Sequence, residues 1–137
     1  MEADVAQTKE KKKSGTKKSD PLSEHGISEE LALDLLRDML LYRRFEEKAE
    51  EAYAIGKIGG FCHLHIGQEA GAAGCIKPLR EDDYVMSAYR EHTQALAKGV
   101  SPNAVMAELY GRVDGASGGK GGSMPVSYTH LRAHETK

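Results

Sequence analysis

The chain has 137 residues, of which 29% are charged and 39% hydrophobic, and its formal net charge is −2. The mean hydropathy is −0.54, and no run of about 18 apolar residues occurs, which argues against a membrane-spanning helix. The small negative charge argues against a nucleic-acid binder driven by overall charge. Two cysteines, Cys62 and Cys75, are too few for a disulfide framework and favour a reducing compartment. These properties predict one soluble, cytoplasmic domain.

Residues 1–27 are predicted to form a disordered, Lys-rich tail. Residues 1–20 carry 6 Lys and 4 acidic residues, and the run from Lys9 to Lys18 has no apolar periodicity to offset the cost of ordering. The segment lacks the apolar core of a secretory signal, and its acidic residues and lack of Arg count against a mitochondrial presequence. We favour a solvated linker; contact with nucleic acid or with an acidic partner surface is the alternative.

Helix signals begin at Ser28. Ser28 is a suitable N-cap, apolar residues then recur at helical spacing, and Gly56 is a suitable residue just past a helix end. These signals predict one long amphipathic helix over 28–56. A second helix is predicted over 68–76. A third follows Tyr89 and Arg90, runs to about Lys98 and stops at Gly99, and a fourth runs from Ser101 and Pro102 to about Tyr110.

A short apolar segment, 84–88, is predicted to be a buried strand. Because it alternates with helices, the predicted fold class is α/β. Tyr89 and Arg90 would follow at the carboxyl end of the strand, which is where ligands bind in open α/β sheets. An Arg there can bind a phosphate through its planar fork, and a Tyr can hydrogen-bond or stack. The alternative is an Arg that pairs with Glu91 or with the preceding acidic turn.

A glycine-rich segment follows the last predicted helix. Residues 118–122 read Gly-Gly-Lys-Gly-Gly, and the backbone N–H groups of successive glycines, with Lys120, could form a phosphate cradle. The segment is not a Walker loop, because Gly121 follows Lys120 where Ser or Thr would bind magnesium. It is not a dinucleotide fingerprint either, because Met124 occupies the third glycine position. A flexible surface loop is therefore the favoured interpretation.

Histidines occur in two further patterns. In a strand, His63 and His65 of segment 62–65 (Cys-His-Leu-His) would share one face and Cys62 would point to the other, which disfavours a shared metal ion. His63 acting by hydrogen bonding and a half-buried structural His stay open as alternatives. His130 and His134 lie one helical turn apart, but Glu135 lies outside the pair, so the zinc-protease geometry fails.

Five blocks of the sequence, taken together, resemble one family. They are 43–47 (RRFEE), 59–69 (GGFCHLHIGQE), 89–92 (YREH), 106–109 (MAEL) with Gly111 and Arg112, and 119–124 (GKGGSM). From about Leu31 to Met124 the chain resembles the alpha subunits of the pyruvate dehydrogenase first component, which are thiamine-diphosphate-dependent and acetyl-transferring. Five collinear blocks are far more specific than any single motif.

The resemblance implies that residues 28–124 form the N-terminal part of a thiamine-diphosphate-binding fold, a parallel sheet flanked by helices. It implies decarboxylation of pyruvate and transfer of the acetyl unit to a lipoyl-bearing acetyltransferase. Thiamine diphosphate (ThDP) would lie between the alpha subunit and a beta subunit, in a heterotetramer of two alpha and two beta chains. His63 matches the family's substrate-pocket His, and Tyr89 and Arg90 match its cofactor-binding pair.

The resemblance leaves alternatives open. It implies a bacterial-type cytoplasmic enzyme with no nucleic-acid or membrane partner, and it assigns no catalytic residue and no metal ligand within this chain. Acetoin and branched-chain 2-oxoacid dehydrogenase alpha subunits share the same layout, so the substrate is not fixed. A small binding module without catalysis is the alternative from a different functional class.

The sequence also departs from the family. His65 stands where Tyr is common, and the family's Mg²⁺ motif, Gly-Asp-Gly…Asn, is absent and would lie well beyond Met124. The Mg²⁺ ligands are therefore expected in a missing part. Residues 125–137 have no family counterpart and resemble a translated sequencing adapter, so they are predicted to be non-native. The chain is expected to be a subunit fragment that is inactive alone.

Overall fold

A computed structural model of the chain describes residues 21–87, 89–123 and 128–129. In chain order the elements are α1 (Pro21–Glu24), α2 (Glu29–Ala54), α3 (Glu69–Ile76), β1 (Val85–Met86), α4 (His92–Ala97), α5 (Pro102–Leu109) and β2 (Tyr128–Thr129). Helix α2 is by far the longest element, and α3, α4 and α5 pack against it. Within the described ranges, no helix combines the length and apolar character needed to cross a membrane.

Helix α2 begins and ends where its local signals predict. The Ser28 hydroxyl accepts a hydrogen bond from the N–H of Leu31 at 3.1 Å, which satisfies one of the donors at the helix start. At the other end, Gly56 has a φ of +72°, a left-handed conformation that glycine adopts without steric cost. The N–H of Lys57 then donates back to the carbonyl of Ala52 at 2.9 Å. The predicted helix is thus confirmed.

The two eight-residue helices, α3 and α5, also lie within their predicted ranges. Helix α5 has Pro102 in its first turn, and the Ser101 hydroxyl accepts a hydrogen bond from the N–H of Ala104 at 3.2 Å. Helix α4 ends just before Lys98, and Gly99 follows with a φ of +93°. Side-chain caps therefore set the starts of α2 and α5, whereas the starts of α3 and α4 have none.

The hydrophobic core lies where α2 meets α3, α4 and α5. Its buried members are Tyr42, Phe45, Ala49 and Ala52 of α2, Ile58 of the following connection, Ala72 and Ala73 of α3, Ala95 and Leu96 of α4, and Val105 and Leu109 of α5. The α2 members recur at spacings of three and four residues, so they form one helix face. The α2–α3 connection, which contributes Ile58 to this core, and the segment that leads into α4 carry the candidate site residues.

The predicted strand and sheet need correction. A buried strand was expected over 84–88, but β1 covers only Val85–Met86, and Met86 is 82% exposed. The strand pairs antiparallel with β2, with Val85 opposite Thr129. The described residues therefore form no parallel sheet. A strand is buried on both faces only where other elements cover it, and the apolar character of a short segment cannot supply those elements.

The predicted termini overlap with two observed elements. Helix α1 lies inside the predicted tail 1–27, and the N–H of Ile27 donates to the carbonyl of Leu22 at 2.9 Å. The disorder of the tail as a whole stays a prediction. A proline in the first turn and this closing bond favour one helical turn there. Residues 1–20 lie outside the described residues. So does all of 125–137 except β2, including the His130–His134 pattern, and the non-native origin of this segment stays a prediction.

Candidate functional site

The three predicted site residues lie together on one surface. The ring centroids of His63 and Tyr89 are 4.6 Å apart, with the planes inclined by 57°. The guanidinium carbon of Arg90 lies 5.6 Å from the Tyr89 ring centroid, a cation–π distance. Tyr89 is 50% exposed, Arg90 is exposed and His63 is half-buried. An imidazole, a phenol and a guanidinium thus face solvent side by side, and together they can bind an anionic ligand.

His65 joins the two chain segments that carry this cluster. Its Nδ1 lies 2.7 Å from the carbonyl oxygen of Arg90, and because a carbonyl only accepts, the imidazole N–H is the donor. His65 is itself buried. The bond holds the backbone of Arg90 against the His63 segment. In the sequence, His65 stood out in a histidine pattern and as a departure from the family, but its partner 25 residues away left no local signal.

The thiol of Cys62 is a poor nucleophile in this environment. Burial, and secondarily the nearby charge of Glu46, raises the pKa of Cys62 to about 11, so the thiol stays protonated at neutral pH. The segment around it, residues 61–65, is not a strand. In the part of the chain that the structure describes, no group of three or more His, Cys, Asp or Glu side chains could hold a metal ion.

A fully buried polar pair fixes the start of α4. The Nδ1 of His92 and the Oε1 of Glu46 are 3.0 Å apart, with side chains 1% and 0% exposed. His92 also packs against the ring of Phe45, with centroids 6.4 Å apart. Because His92 is the first residue of α4, this contact ties α2 to the turn that presents Tyr89 and Arg90. Both members lie in blocks that carry the family resemblance, but their contact across 46 residues could not be predicted from the local pattern.

An ion pair fixes the start of α3 in a similar way. The guanidinium of Arg43 donates to Glu69 through Nε–Oε1 at 2.6 Å and Nη2–Oε2 at 3.2 Å. The N–H of Gly67 also donates to Glu69 Oε1, at 2.9 Å. The Arg43 hydrogen bond is the main cause that lowers the pKa of Glu69 to about 2. This pair holds the turn that directly follows His65.

The glycine-rich loop, residues 115–123, wraps around a carboxylate of the chain itself. Glu108 Oε2 accepts hydrogen bonds from the N–H groups of Ser117 and Gly119, each at 2.8 Å, and Oε1 accepts one from Gly121 at 2.7 Å. Glu108 is 2% exposed. Burial alone would raise the pKa of Glu108, but these backbone hydrogen bonds outweigh it and lower the pKa.

This arrangement corrects the phosphate-cradle hypothesis. The N–H groups of Ser117, Gly119 and Gly121, which a phosphate would need, already donate to Glu108. The surface-loop interpretation fits better, although the loop is anchored to α5 through a buried carboxylate. Glu108 was visible in the sequence only as part of a matching block, because its partners are 9 to 13 residues away and are backbone groups.

The loop also touches the segment that carries His63. The Ser123 hydroxyl donates to the carbonyl of Gly59 at 2.7 Å. Next to it, a Cβ added at Gly60 would lie 3.3 Å from the Ser123 oxygen, so the two segments approach closely. Gly60 has a φ of +75°, which also favours glycine. The glycines that precede His63 thus serve a close contact with the loop.

Comparisons with known proteins agree with the family that the sequence blocks indicate. The family model described as "Dehydrogenase E1 component" matches residues 37–135. The chain is 56% identical over 98 residues to the "Pyruvate dehydrogenase E1 component subunit alpha" of Rhizobium meliloti (strain 1021). The matched region covers 72% of this chain and 28% of that protein. It is 54% identical over 106 residues to the protein of the same name from Zymomonas mobilis, covering 77% of this chain and 30% of the relative.

A plant relative extends the range of the matches. The "Pyruvate dehydrogenase E1 component subunit alpha-3, chloroplastic" of Arabidopsis thaliana is 51% identical over 98 residues, covering 72% of this chain and 23% of that protein. The chain therefore spans less than a third of the length of these relatives. The family model nevertheless covers well over half of the chain. The chain belongs to the dehydrogenase E1 component family.

Proposed function

We propose that the full-length protein containing this segment is the alpha subunit of a pyruvate dehydrogenase that depends on ThDP. One observation carries the proposal: His63, Tyr89 and Arg90 lie in one cluster of ring and cation contacts. Relatives that are 51% to 56% identical to this chain carry the name pyruvate dehydrogenase E1 component subunit alpha. The segment would supply one wall of the active site.

The exposed guanidinium of Arg90 suits the diphosphate of ThDP. The Tyr89 ring contacts the guanidinium, and a planar guanidinium can still donate in its own plane to phosphate oxygens. Tyr89 touches both His63 and Arg90, so it would fix the distance between the diphosphate and the substrate. His63 would donate a hydrogen bond to an oxygen of the 2-oxoacid.

When bound, ThDP supplies the electron sink for decarboxylation, and the protein supplies binding, orientation and electrostatics. The residues present fit that division, since the cluster offers one cation and hydrogen-bonding side chains but no buried nucleophile. Cys62, the thiol nearest to His63 in sequence, has its pKa raised to about 11 and would take no part. The Mg²⁺ that accompanies ThDP would be held by residues outside the described ranges.

The proposal includes partners that this segment does not itself contain. A beta subunit would close the ThDP site in a heterotetramer of two alpha and two beta chains, and a lipoyl-bearing acetyltransferase would accept the acetyl unit. The half-exposed state of Tyr89 supports a further chain or segment over the site. A cytoplasmic location of bacterial type belongs to the same proposal, although one relative is named as chloroplastic.

The Arg90→Ala variant of the full-length enzyme tests the cofactor assignment. Its apparent dissociation constant for ThDP, measured by calorimetric titration with Mg²⁺ present, should rise about tenfold or more, because a charge-assisted contact to diphosphate is lost. Arg44→Ala is the matched control, since Arg44 is exposed on α2 and pairs with Glu47 at 2.8 Å. Unchanged ThDP affinity in Arg90→Ala would remove Arg90 from the site.

The substrate assignment is tested on the same enzyme. His63→Ala should raise the KM for pyruvate while ThDP affinity stays within about twofold, because only a substrate contact is removed. Comparing kcat/KM for pyruvate, a branched-chain 2-oxoacid and acetoin in the parent enzyme then identifies the substrate. A higher kcat/KM for either of the other two would replace pyruvate in the proposal.

A further inference from the structure

The carboxylate of Glu108 plays the part that a bound anion plays in other glycine-rich loops. Successive backbone N–H groups in such loops form a concave site that favours negative charge. Here Ser117, Gly119 and Gly121 direct their N–H groups at the two oxygens of Glu108, at 2.7 to 2.8 Å. A buried carboxylate is costly unless it is well hydrogen-bonded, so loop and carboxylate stabilise each other.

The glycines leave little freedom to this arrangement. A Cβ added at Gly115 would lie 2.6 Å from the Cα of Glu108, and one added at Gly119 would lie 2.6 Å from the carbonyl oxygen of Arg112. Both distances are far shorter than ordinary van der Waals contact, so these positions admit only glycine without rearrangement. The loop backbone is therefore packed directly against α5 and the residues after it.

The loop ends at the segment that carries His63. Ser123, the last residue of the loop, donates its hydroxyl to Gly59 at 2.7 Å. Gly59 lies four residues before His63, in a stretch that belongs to no helix or strand. Because this stretch lacks the regular backbone hydrogen bonds of a helix or strand, contacts such as the one with Ser123 help to fix its position.

We propose that Glu108 is a positioning residue for His63, acting through the glycine-rich loop and Ser123. The inference rests on the proposed function, in which His63 binds the 2-oxoacid substrate. Glu108 itself is buried and touches the loop backbone rather than the exposed cluster, so it contacts neither substrate nor cofactor. Its role is to hold the loop in the one shape that brings Ser123 to Gly59.

The Glu108→Gln variant of the full-length enzyme tests this role. One oxygen can still accept from Ser117 and Gly119, but the new NH₂ group faces the N–H of Gly121, so that bond is lost together with the charge. The KM for pyruvate should rise about three- to tenfold, the scale of a misplaced substrate contact, with ThDP affinity changing less than twofold. Loss of folded protein alone would lower the apparent kcat and leave KM unchanged.

Ser123→Ala supplies the second, milder variant. It removes the hydroxyl that reaches Gly59 but leaves the three bonds to Glu108, so amide exchange at Gly119 and Gly121 should stay slow while KM rises. In Glu108→Gln the amide of Gly121, whose hydrogen bond is lost, should exchange faster. The double variant should raise KM by less than the product of the two single effects, because both act along one path. Glu51→Gln is the control, since Glu51 is exposed on α2 and pairs with Lys48.

The outcomes separate this inference from the function on which it rests. If His63→Ala raises KM but neither Glu108→Gln nor Ser123→Ala does, the positioning role is overturned and the proposed function stands. If His63→Ala leaves KM unchanged, the proposed substrate role of His63 is overturned, and the positioning role, which rests on it, is overturned with it. Should Glu108→Gln not fold, Ser123→Ala decides alone: a raised KM supports the path through the loop, and an unchanged KM overturns it.

Discussion

Glu46 and His92 form a buried pair that supports the turn carrying Tyr89 and Arg90, although neither belongs to the exposed cluster. Their bond of 3.0 Å is fully buried and joins the middle of α2 to the first residue of α4. Removing one member would leave the other as a buried polar group without its partner, which commonly costs about 1–3 kcal/mol. The positions of Tyr89 and Arg90 thus depend on side chains that a list of exposed residues would miss.

The stabilisation that the Arg43–Glu69 pair provides depends on pH. Hydrogen bonding to Arg43 lowers the pKa of Glu69 from 4.5 to about 2. Because the folded pKa is the lower one, the contribution to stability is complete above about pH 5 and is lost as the pH falls from 4.5 towards 2. Arg43 is 42% exposed, so water screens the pair and its contribution is smaller than that of a fully buried pair.

We therefore expect Glu69→Gln to weaken the turn before α3 at pH 5, and to weaken it less at pH 3. The measurement is amide hydrogen exchange at Gly67 in the full-length protein, corrected for the intrinsic effect of pH. Glu51→Gln, which breaks an exposed pair with Lys48 on α2, should change exchange at Gly67 at neither pH. An equal difference between Glu69→Gln and the parent protein at both pH values would contradict the expected coupling.

In the glycine-rich loop, two neighbouring glycines separate the effect of backbone strain from the effect of a steric collision. Gly118 and Gly119 both have a positive φ, +68° and +73°. A Cβ at Gly118 would meet nothing within 4 Å, whereas one at Gly119 would lie 2.6 Å from the backbone of Gly111 and Arg112. Both alanine variants carry the same conformational strain, but only Gly119→Ala adds a collision with backbone atoms.

Gly119→Ala should thus destabilise the loop by about 1–3 kcal/mol more than Gly118→Ala does. Amide exchange within the loop measures this difference: exchange at Ser117 and Gly121 should be about fivefold or more faster in Gly119→Ala than in Gly118→Ala, at about 1.4 kcal/mol per factor of ten. Similar exchange in both variants would mean that the loop relaxes freely around the added methyl group.

The helix ends, unlike the strand, could be predicted from the sequence. Ser28, Gly56 and Ser101 act on backbone groups within four residues, so their chemistry is readable locally. The burial of 84–88 depends on elements distant in the chain, and there the prediction was wrong. Apolar character alone does not tell a covered strand from an exposed one such as β1.

The candidate site shows the same division. His63, Tyr89 and Arg90 could be named because they stand in sequence blocks that resemble a family, and the structure brings them into contact. Their functional roles stay predictions. The residues that hold them could not be named, because the partners of His65 and Glu46 lie 25 and 46 residues away. Such pairs arise only when α2, α3 and α4 pack together.

On the scale of the whole molecule, the 137-residue chain is expected to be inactive by itself. It spans less than a third of the length of its relatives, and Tyr89 and Arg90 face solvent. The purified chain, supplied with ThDP, Mg²⁺ and pyruvate, should release no CO₂ above the rate without protein. Measurable decarboxylation would show that the segment holds a complete site and would overturn the proposed division between subunits.

The same chain should also self-associate. Leu33, Leu36 and Leu40 are each about half exposed on one face of α2, opposite the face that carries Phe45 and Ala49. Exposed apolar stripes of this kind favour association in water. Sedimentation should therefore give a mass that grows with concentration. A monomer with a cooperative thermal transition would instead favour a small independent binding module.

The internal carboxylate in the glycine-rich loop has a consequence for the energetics of ligand binding. A loop that waits for a phosphate to order it loses conformational entropy at the moment of binding, and that loss weakens the affinity. The loop around Glu108 is ordered by the chain itself, so this part of the proposed active-site wall would be preorganised before any ligand arrives.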